Sequence, residues 1–485
     1  MLETLVYYWP HILFVTHWLL VVICAARILS KRQPTGVALA WIMLISSIPI
    51  AGPLMYLVFG EWWLSGRRMK MTAQHTKKIH EHLHRLQPLL EKQLTLNHPI
   101  AEDLTRLTAS AGLVHTLPGN AVELFNGATA AFNRLTADID SASRQVDMLF
   151  YIWAGGPRVD AIEAALINAV KRGVKCRVLV DSSGSKQWLR SPNVEKLRTA
   201  GVEVREALQV RLYRVPAARI DLRNHRKLVL IDETIAYSGS LNMADPTVFK
   251  DDAGVGAWVD LMARVQGPAV AVLDSVFELD WSLETGEDPF HNVEEQTICE
   301  RCGDAPLLVV PSGPGLNPDL LHQLLLQAIY GARETMVIST PYFVPDESML
   351  TALIAAAQRG VKVTLIVPRK VDSWLVQMAS HAYYDDLLDA GAEVMLYDGG
   401  LLHAKTVTID GSVAFLGTVN MDRRSFWINL ELSLFVFNDS VCQQLCAIQQ
   451  NYMDDSRLLR DTDWVNRGKA YRICENAVQL LSPVL

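Results

Sequence analysis

Two stretches of the 485-residue chain carry the same chemistry-bearing residues at the same offsets. One runs Asn224-His225-Arg226-Lys227-Leu228-Val229-Leu230-Ile231-Asp232, followed by Gly239-Ser240-Leu241-Asn242. The other runs Leu402-His403-Ala404-Lys405-Thr406-Val407-Thr408-Ile409-Asp410, followed by Gly417-Thr418-Val419-Asn420. A pattern that recurs with His, Lys, Asp, Gly and Asn in register requires its supporting unit to be built twice. The surroundings repeat as well. Arg172-Gly173-Val174-Lys175 returns as Arg359-Gly360-Val361-Lys362, and Ala200-Gly201-Val202-Glu203-Val204 as Ala390-Gly391-Ala392-Glu393-Val394. Apolar periodicity predicts a helix over 130–143, a strand over 146–153, a helix over 159–172 stopped by Gly173, and a strand over 174–181. The same order is predicted over 320–333, 335–343, 348–359 (stopped by Gly360) and 361–367. The expected fold is therefore α/β: two related halves, each a mixed sheet flanked by helices.

On an extended strand side chains alternate, so His403 and Lys405 share one face with Val407 and Ile409, while Thr406 and Thr408 take the other. An imidazole beside a fixed ammonium suits attack on phosphorus, with the lysine neutralising phosphoryl oxygens. Thr418 and Asn420, one alternation apart, are expected to hydrogen-bond the same phosphate, and Ser240 and Asn242 are their counterparts. Two histidines with ordinary pKa near ~6.5 can divide nucleophilic and proton-transfer work. Lys227 and Lys405 supply the positive field, so neither a metal nor another cofactor is expected. The candidate catalytic set is His225, Lys227, Asp232, His403, Lys405 and Asp410, with Asp232 and Asp410 expected to hold strand ends and turns.

These paired motifs resemble the HKD motifs of the phospholipase D superfamily. With the N-terminus described below, nearly the whole chain resembles the membrane-anchored, two-motif bacterial cardiolipin synthases. The resemblance implies two phospholipase D-like halves related by a pseudo-two-fold axis, with both His-x-Lys segments at their interface. It implies a phosphatidyl-histidine intermediate. One His attacks phosphorus, and the other protonates the departing alcohol and then deprotonates the incoming one. With phosphatidylglycerol as donor and acceptor, the products are cardiolipin and glycerol. Family members also place a carboxylate beside each His, on a following strand. Glu431 in Asn429-Leu430-Glu431 matches for the second half, and Asp260 in Trp258-Val259-Asp260 is the candidate for the first.

Thr4 to Ala26 contains no Asp, Glu, Lys or Arg, long enough for a bilayer-spanning helix. A second uncharged run, Gln33 to Gly60, contains Pro49, Gly52 and Pro53 and is expected to kink. Trp9, Trp18, Trp62 and Trp63 suit interfacial positions. A hairpin of two transmembrane helices puts the catalytic region on the side of Met1. Arg67, Arg68, Lys70, Lys77 and Lys78 outnumber Arg27, Lys31 and Arg32, which favours a cytoplasmic catalytic region at the bacterial inner membrane. The expected divisions are 1–62 (membrane hairpin), 63–116 (polar juxtamembrane segment with His80 and His84 at helical spacing), 117–285, 286–315 (connection) and 316–485.

The net charge of -7 argues against a general nucleic-acid partner. Phosphatidylglycerol and anionic membrane lipid are the expected partners. Seven cysteines at irregular spacing do not form a disulfide framework, and Cys299-Glu300-Arg301-Cys302 is a lone CxxC without a second pair. Val204 to His225 spans 21 positions where Val394 to His403 spans 9. The first half thus carries a basic, apolar insert with Arg211, Arg214, Arg219 and Arg223, suited to phospholipid. The C-terminal tail is expected to be helical and either to touch the bilayer or to cover the core. Competing readings are a membrane-bound phospholipase D, a synthase using phosphatidylethanolamine, and a lipid-binding scaffold. Intact motifs in both halves disfavour the scaffold, and the apolar N-terminus disfavours a nuclease.

Overall fold

The computed structural model describes residues 2–31, 35–60, 66–90, 96, 98–111, 116–209, 221–250, 253–289, 299–459, 464 and 467–480. The chain divides into two units: residues 1–70 with 210–222, and residues 71–209 with 223–485.

In the first unit, the helix Leu2–Ser30 includes one segment, Tyr8–Ser30, long and apolar enough to cross a membrane. The second uncharged run forms two helices, Thr35–Ser47 and Ala51–Phe59. The expected kink is a full break, with Ile50 at φ 62° ahead of Gly52 and Pro53. Neither piece alone has the length of a span. Val21, Cys24, Ile28, Ile45 and Tyr56 bury one another where these helices meet. Arg32, Trp62 and Trp63 lie outside the described residues, as do Arg211, Arg214 and Arg219 of the insert and the side chains of His80 and His84.

The second unit is built on one 15-stranded sheet whose order reads the same from its centre outward in both directions. At the centre Leu117–Asn126 pairs antiparallel with Ala305–Ser312. Outward in the first half follow Leu261–Gln266, Ile235–Gly239, Leu228–Ile231, Gln145–Phe150, Lys175–Asp181 and Glu203–Ala207. Outward in the second follow Glu431–Val436, Val413–Gly417, Thr406–Ile409, Thr335–Ser339, Lys362–Pro368 and Glu393–Tyr397, with Ser456–Leu458 added at the edge. This is the pseudo-two-fold arrangement of two mixed-sheet halves. Ala305–Ser312 falls within the segment expected to be a connection. Its apolar run Leu307–Val310 is buried as a central strand.

Helices observed at Ala128–Ser141, Pro157–Lys171, Leu320–Gly331 and Glu347–Gln358 lie within two residues of the boundaries expected from periodicity. Gly173 and Gly360 follow helix ends with φ of 89° and 92°, where a Cβ would be strained. The helices of each half cover one face of its own sheet in separate cores. On the opposite face one core spans both halves, joining Leu228, Leu230 and Phe277 to Leu402, Leu432 and Leu434. The helix Asp439–Asp454 of the second half reaches the first, where Tyr452 donates to Asn126 at 2.7 Å. The tail helix Lys469–Gln479 packs on Trp374–Asp389 and buries Glu475 and Val478, so its described part covers the core.

Candidate active site

Each His-x-Lys tripeptide lies just ahead of its strand, Leu228–Ile231 or Thr406–Ile409, rather than within it as alternation predicted. Its backbone pairs with the other half instead. His225 N donates to Leu430 O at 2.9 Å, and Leu430 N to Arg223 O at 2.9 Å. On the other side His403 N and Ala404 N donate to Val259 O at 2.7 and 2.9 Å. Leu430 and Val259 immediately precede the two candidate carboxylates.

That registration crosses the carboxylates between halves. His225 Nδ1 meets Glu431 at 2.9 Å, and His403 Nδ1 meets Asp260 at 2.6 Å. The expectation that each half supplies the acid for its own His is therefore corrected. Both acids were identified, with their partners exchanged. Fixing Nδ1–H on a carboxylate leaves the Nε2 lone pair for chemistry. Ser240 Oγ donates to Asp260 at 2.6 Å, and Thr418 Oγ1 donates to Glu431. This corrects the expectation of Thr418 as a phosphate ligand. Its hydroxyl holds the acid that holds the histidine, as does that of Ser240.

Lys227 and Lys405 are fully buried and donate to the carbonyls of His225 and His403. Asp232 and Asp410 lie at the far ends of the strands, outside the site. Asp232 accepts from the backbone N–H groups of Ser143, Arg144 and Gln145, and Asp410 from those of Arg333, Glu334 and Thr335. Both sit at positive φ in the turn and hold strand ends as expected, so their inclusion in a catalytic set is corrected.

Both histidines line one cavity of ≈ 240 Å³, with Asn242, Asn420, Arg223, Arg424, Lys250 and Trp258 among its walls. Nothing in the sequence pattern singled out Arg424, Lys250 or Tyr342; Arg424 reaches the cavity from the short helix Arg423–Trp427, and Lys250 and Tyr342 from loops. Arg226 was also missed. Its buried guanidinium binds Asp280 at 2.7 Å and the carbonyls of Glu431 and Ser312, tying the two halves together. The equivalent second-half position is Ala404, so no repeat marked it.

Among the described residues, several buried polar atoms without hydrogen-bond partners belong to residues of this cavity wall: Asn242 Nδ2, Trp258 Nε1, Asn420 Oδ1 and Asn429 Oδ1. Asn242 Oδ1 is committed to Ile152 N (3.2 Å) and Asn429 Nδ2 to Glu431 (3.1 Å). Unpaired buried polar groups cost about 1–3 kcal/mol each, and a bound molecule can recover that cost.

Burial, with the Lys227 and Lys405 ammonium groups, holds His225 down to about 4 against the pull of Glu431. Burial, then Lys405 and Lys227, does the same to His403, also to about 4, against Asp260. Burial lowers Lys227 to about 8 and pulls Lys405 well below its ordinary value. For Asp260 burial alone would raise the pKa, but His403, Lys405 and Ser240 carry it down to about 2. Glu431 is lowered too, burial being overridden by His225, Lys227 and Thr418. The resting site thus holds neutral imidazoles beside ionised carboxylates, with both buried lysines holding their protons less tightly than usual. Among the described residues the one cluster with metal-ligand geometry is Asp147, Asp274 and Glu278, which shares no residue with the cavity wall. Cys299 and Cys302 are free thiols outside the site.

Residues 135–281 and 325–452 match the family model described as "Cardiolipin synthase, PLD-like domain". Residues 19–61 match "Phospholipase_D-nuclease N-terminal". Cardiolipin synthase A of Pectobacterium atrosepticum is 41% identical over 477 residues, 98% of each chain. Cardiolipin synthase A of Yersinia pseudotuberculosis is 40% identical over 472 residues, 97% of each. In fold, the structure resembles phosphatidylserine synthase of Haemophilus influenzae, with a TM-score of 0.56 at 14% identity over 79% of this chain and 100% of that one. With its duplicated α/β architecture and paired His-x-Lys sites, the chain belongs to the cardiolipin synthase family of phospholipase D-like proteins.

Proposed function

We propose that the protein transfers a phosphatidyl group from one phosphatidylglycerol to a hydroxyl of another, giving cardiolipin and glycerol. The observation that carries this reading is the crossed pair of carboxylate-held imidazoles facing one cavity. In the first step Nε2 of one histidine forms a bond to phosphorus as the bond to the glycerol oxygen breaks. The other imidazolium gives that oxygen its proton. In the second step the same imidazole takes the proton of the incoming hydroxyl. The new P–O bond then forms as the P–N bond breaks.

Charge balance explains how one imidazole becomes protonated. With both imidazoles neutral, protonation of Lys227 and Lys405 would just offset the negative charges of Asp260 and Glu431. A phosphodiester adds one negative charge, which one protonated imidazole neutralises in this low-dielectric site. Asn242 Nδ2 and Trp258 Nε1 are donors suited to phosphoryl oxygens. A phosphate, having no proton to give, cannot satisfy Asn420 Oδ1 or Asn429 Oδ1. A headgroup hydroxyl or ammonium can.

The reading includes a place in the bacterial inner membrane, with the broken apolar segment 35–60 completing a second crossing and the catalytic region in the cytoplasm. The basic excess after that segment supports this orientation. It also keeps 117–285 as the first half and begins the second at Ala305, the counterpart of Leu117 in the sheet, in place of 316.

The test is a product assay. The full chain in lipid–detergent micelles receives labelled phosphatidylglycerol alone. Cardiolipin with equimolar glycerol is expected. Phosphatidic acid alone would make the protein a hydrolase, and product formed only after adding phosphatidylethanolamine would establish a different donor pair.

A further inference from the structure

The cavity of ≈ 240 Å³ lies below the range of about 300–1,000 Å³ typical of pockets that engulf small molecules. It accommodates a polar headgroup and leaves no room for the acyl chains of two phospholipids. Those chains must stay in the bilayer while phosphorus reaches the imidazoles. The mouth of the cavity therefore has to meet the lipid surface.

The residues beside the mouth suit that contact. Trp374 is 61% exposed, Val248 53% and Leu375 39%. They neighbour Asp372, Val376 and Lys250 in the chain, all of which line the cavity. Single exposed apolar side chains are ordinary surface, but these three all flank, along the chain, residues of one cavity wall. Tryptophan in particular favours the membrane interface. This rim has a firm base. Trp374 opens the helix Trp374–Asp389, capped by Ser373 on Val376 N at 3.4 Å. Beneath it Asp372 accepts from Lys250 (2.8 Å) of the first half and from Tyr342 (2.6 Å) of the second. The rim thus bridges both halves. Charge also matches. Lys370, exposed four positions before Trp374 in the chain, and Arg223 and Arg424 in the cavity wall are complementary to anionic headgroups.

We infer that the rim formed by Val248, Trp374, Leu375 and Lys370 seats the catalytic region on an anionic phospholipid bilayer, independently of the apolar N-terminal helix. This inference rests on the phospholipid reading of the site. The full chain and its Trp374→Ser/Leu375→Ser variant would be placed in phosphatidylcholine nanodiscs. Each would be assayed with long-chain phosphatidylglycerol in the disc and with soluble dihexanoyl phosphatidylglycerol. The variant is expected to lose about tenfold with the bilayer substrate, equivalent to roughly 1.4 kcal/mol of docking, and to stay within about twofold with the soluble one. Equal losses on both substrates, or none on the bilayer substrate, would overturn the inference.

A second measurement does not depend on turnover. Amide hydrogen exchange over residues 371–378 should slow in phosphatidylglycerol nanodiscs relative to neutral detergent, and unchanged exchange would count against docking. Absence of cardiolipin from the unaltered chain on either substrate would instead remove the proposed activity, leaving the exchange result to decide docking.

Discussion

Glu431 accepts from His225 Nδ1, Thr418 Oγ1 and Asn429 Nδ2, so both of its carboxylate oxygens are held by donors. Glu431→Gln would replace one acceptor oxygen with a donor amide of the same size. The imidazole would lose the partner that selects its tautomer. We expect kcat to fall by roughly 10²–10⁴-fold with an unchanged melting temperature, by analogy with the carboxylate of a hydrolytic triad. Asp260→Asn should behave alike at His403. A kcat within a few-fold of the parent would mean that the carboxylates only fill space. Lys227 carries a second prediction. Its ammonium form is the active one, and burial lowers its pKa to about 8. The proton is lost as pH rises through that value, so kcat/KM should decline above about pH 8. A profile that stays level to pH 10 would contradict this role.

The hairpins that follow the two motifs separate structure from chemistry. In each, the last strand residue leads into an Asp at positive φ, 51° for Asp232 and 50° for Asp410. Such backbone is disfavoured for residues with a Cβ, though Asp tolerates it better than most. The return is a carboxylate that gathers the N–H groups at the start of a neighbouring strand, Thr335–Ser339 for Asp410. Asp410→Ala should therefore lower stability by roughly 2 kcal/mol, because several charge-assisted hydrogen bonds are lost. The remaining folded protein should turn over at the parent kcat. Thermal denaturation alongside kcat distinguishes this from a catalytic role, for which kcat would collapse at constant stability.

Neither half is a complete site. His225 and Lys227 belong to the first half, and the acid on His225 comes from the second. The reverse holds for His403. The palindromic sheet, the core shared across both halves and the Arg226 tie all serve to hold that exchange. In the proposed reaction the buried lysines supply the positive charge that a divalent cation supplies in many phosphoryl-transfer sites. Excess chelator should accordingly leave the rate of cardiolipin formation largely unchanged. Complete loss restored by a single metal would show that the lysines are insufficient.

The duplicated motif and the helix boundaries could be read from local pattern, and the two carboxylates from the family resemblance. Periodicity and turn residues depend on neighbours within one element, so Gly173 and Gly360 marked helix ends as clearly in the chain as in the fold. The apolar N-terminus was equally plain, although the break at Ile50 needed backbone geometry to appear. Partnership was not legible. Asp260 lies 35 positions after His225 and 143 before His403, and distance along the chain favours the wrong histidine. Its true partner follows from the bridge between Val259 and His403, which exists only once the halves are docked. The same holds for Thr418, whose sequence position suited a phosphate but whose hydroxyl is taken by Glu431. Arg226, Arg424 and Lys250 likewise gain their meaning from the meeting of segments remote in the chain. Hydrogen-bond partners across an interface depend on three-dimensional registration, and no periodicity along a single strand encodes it.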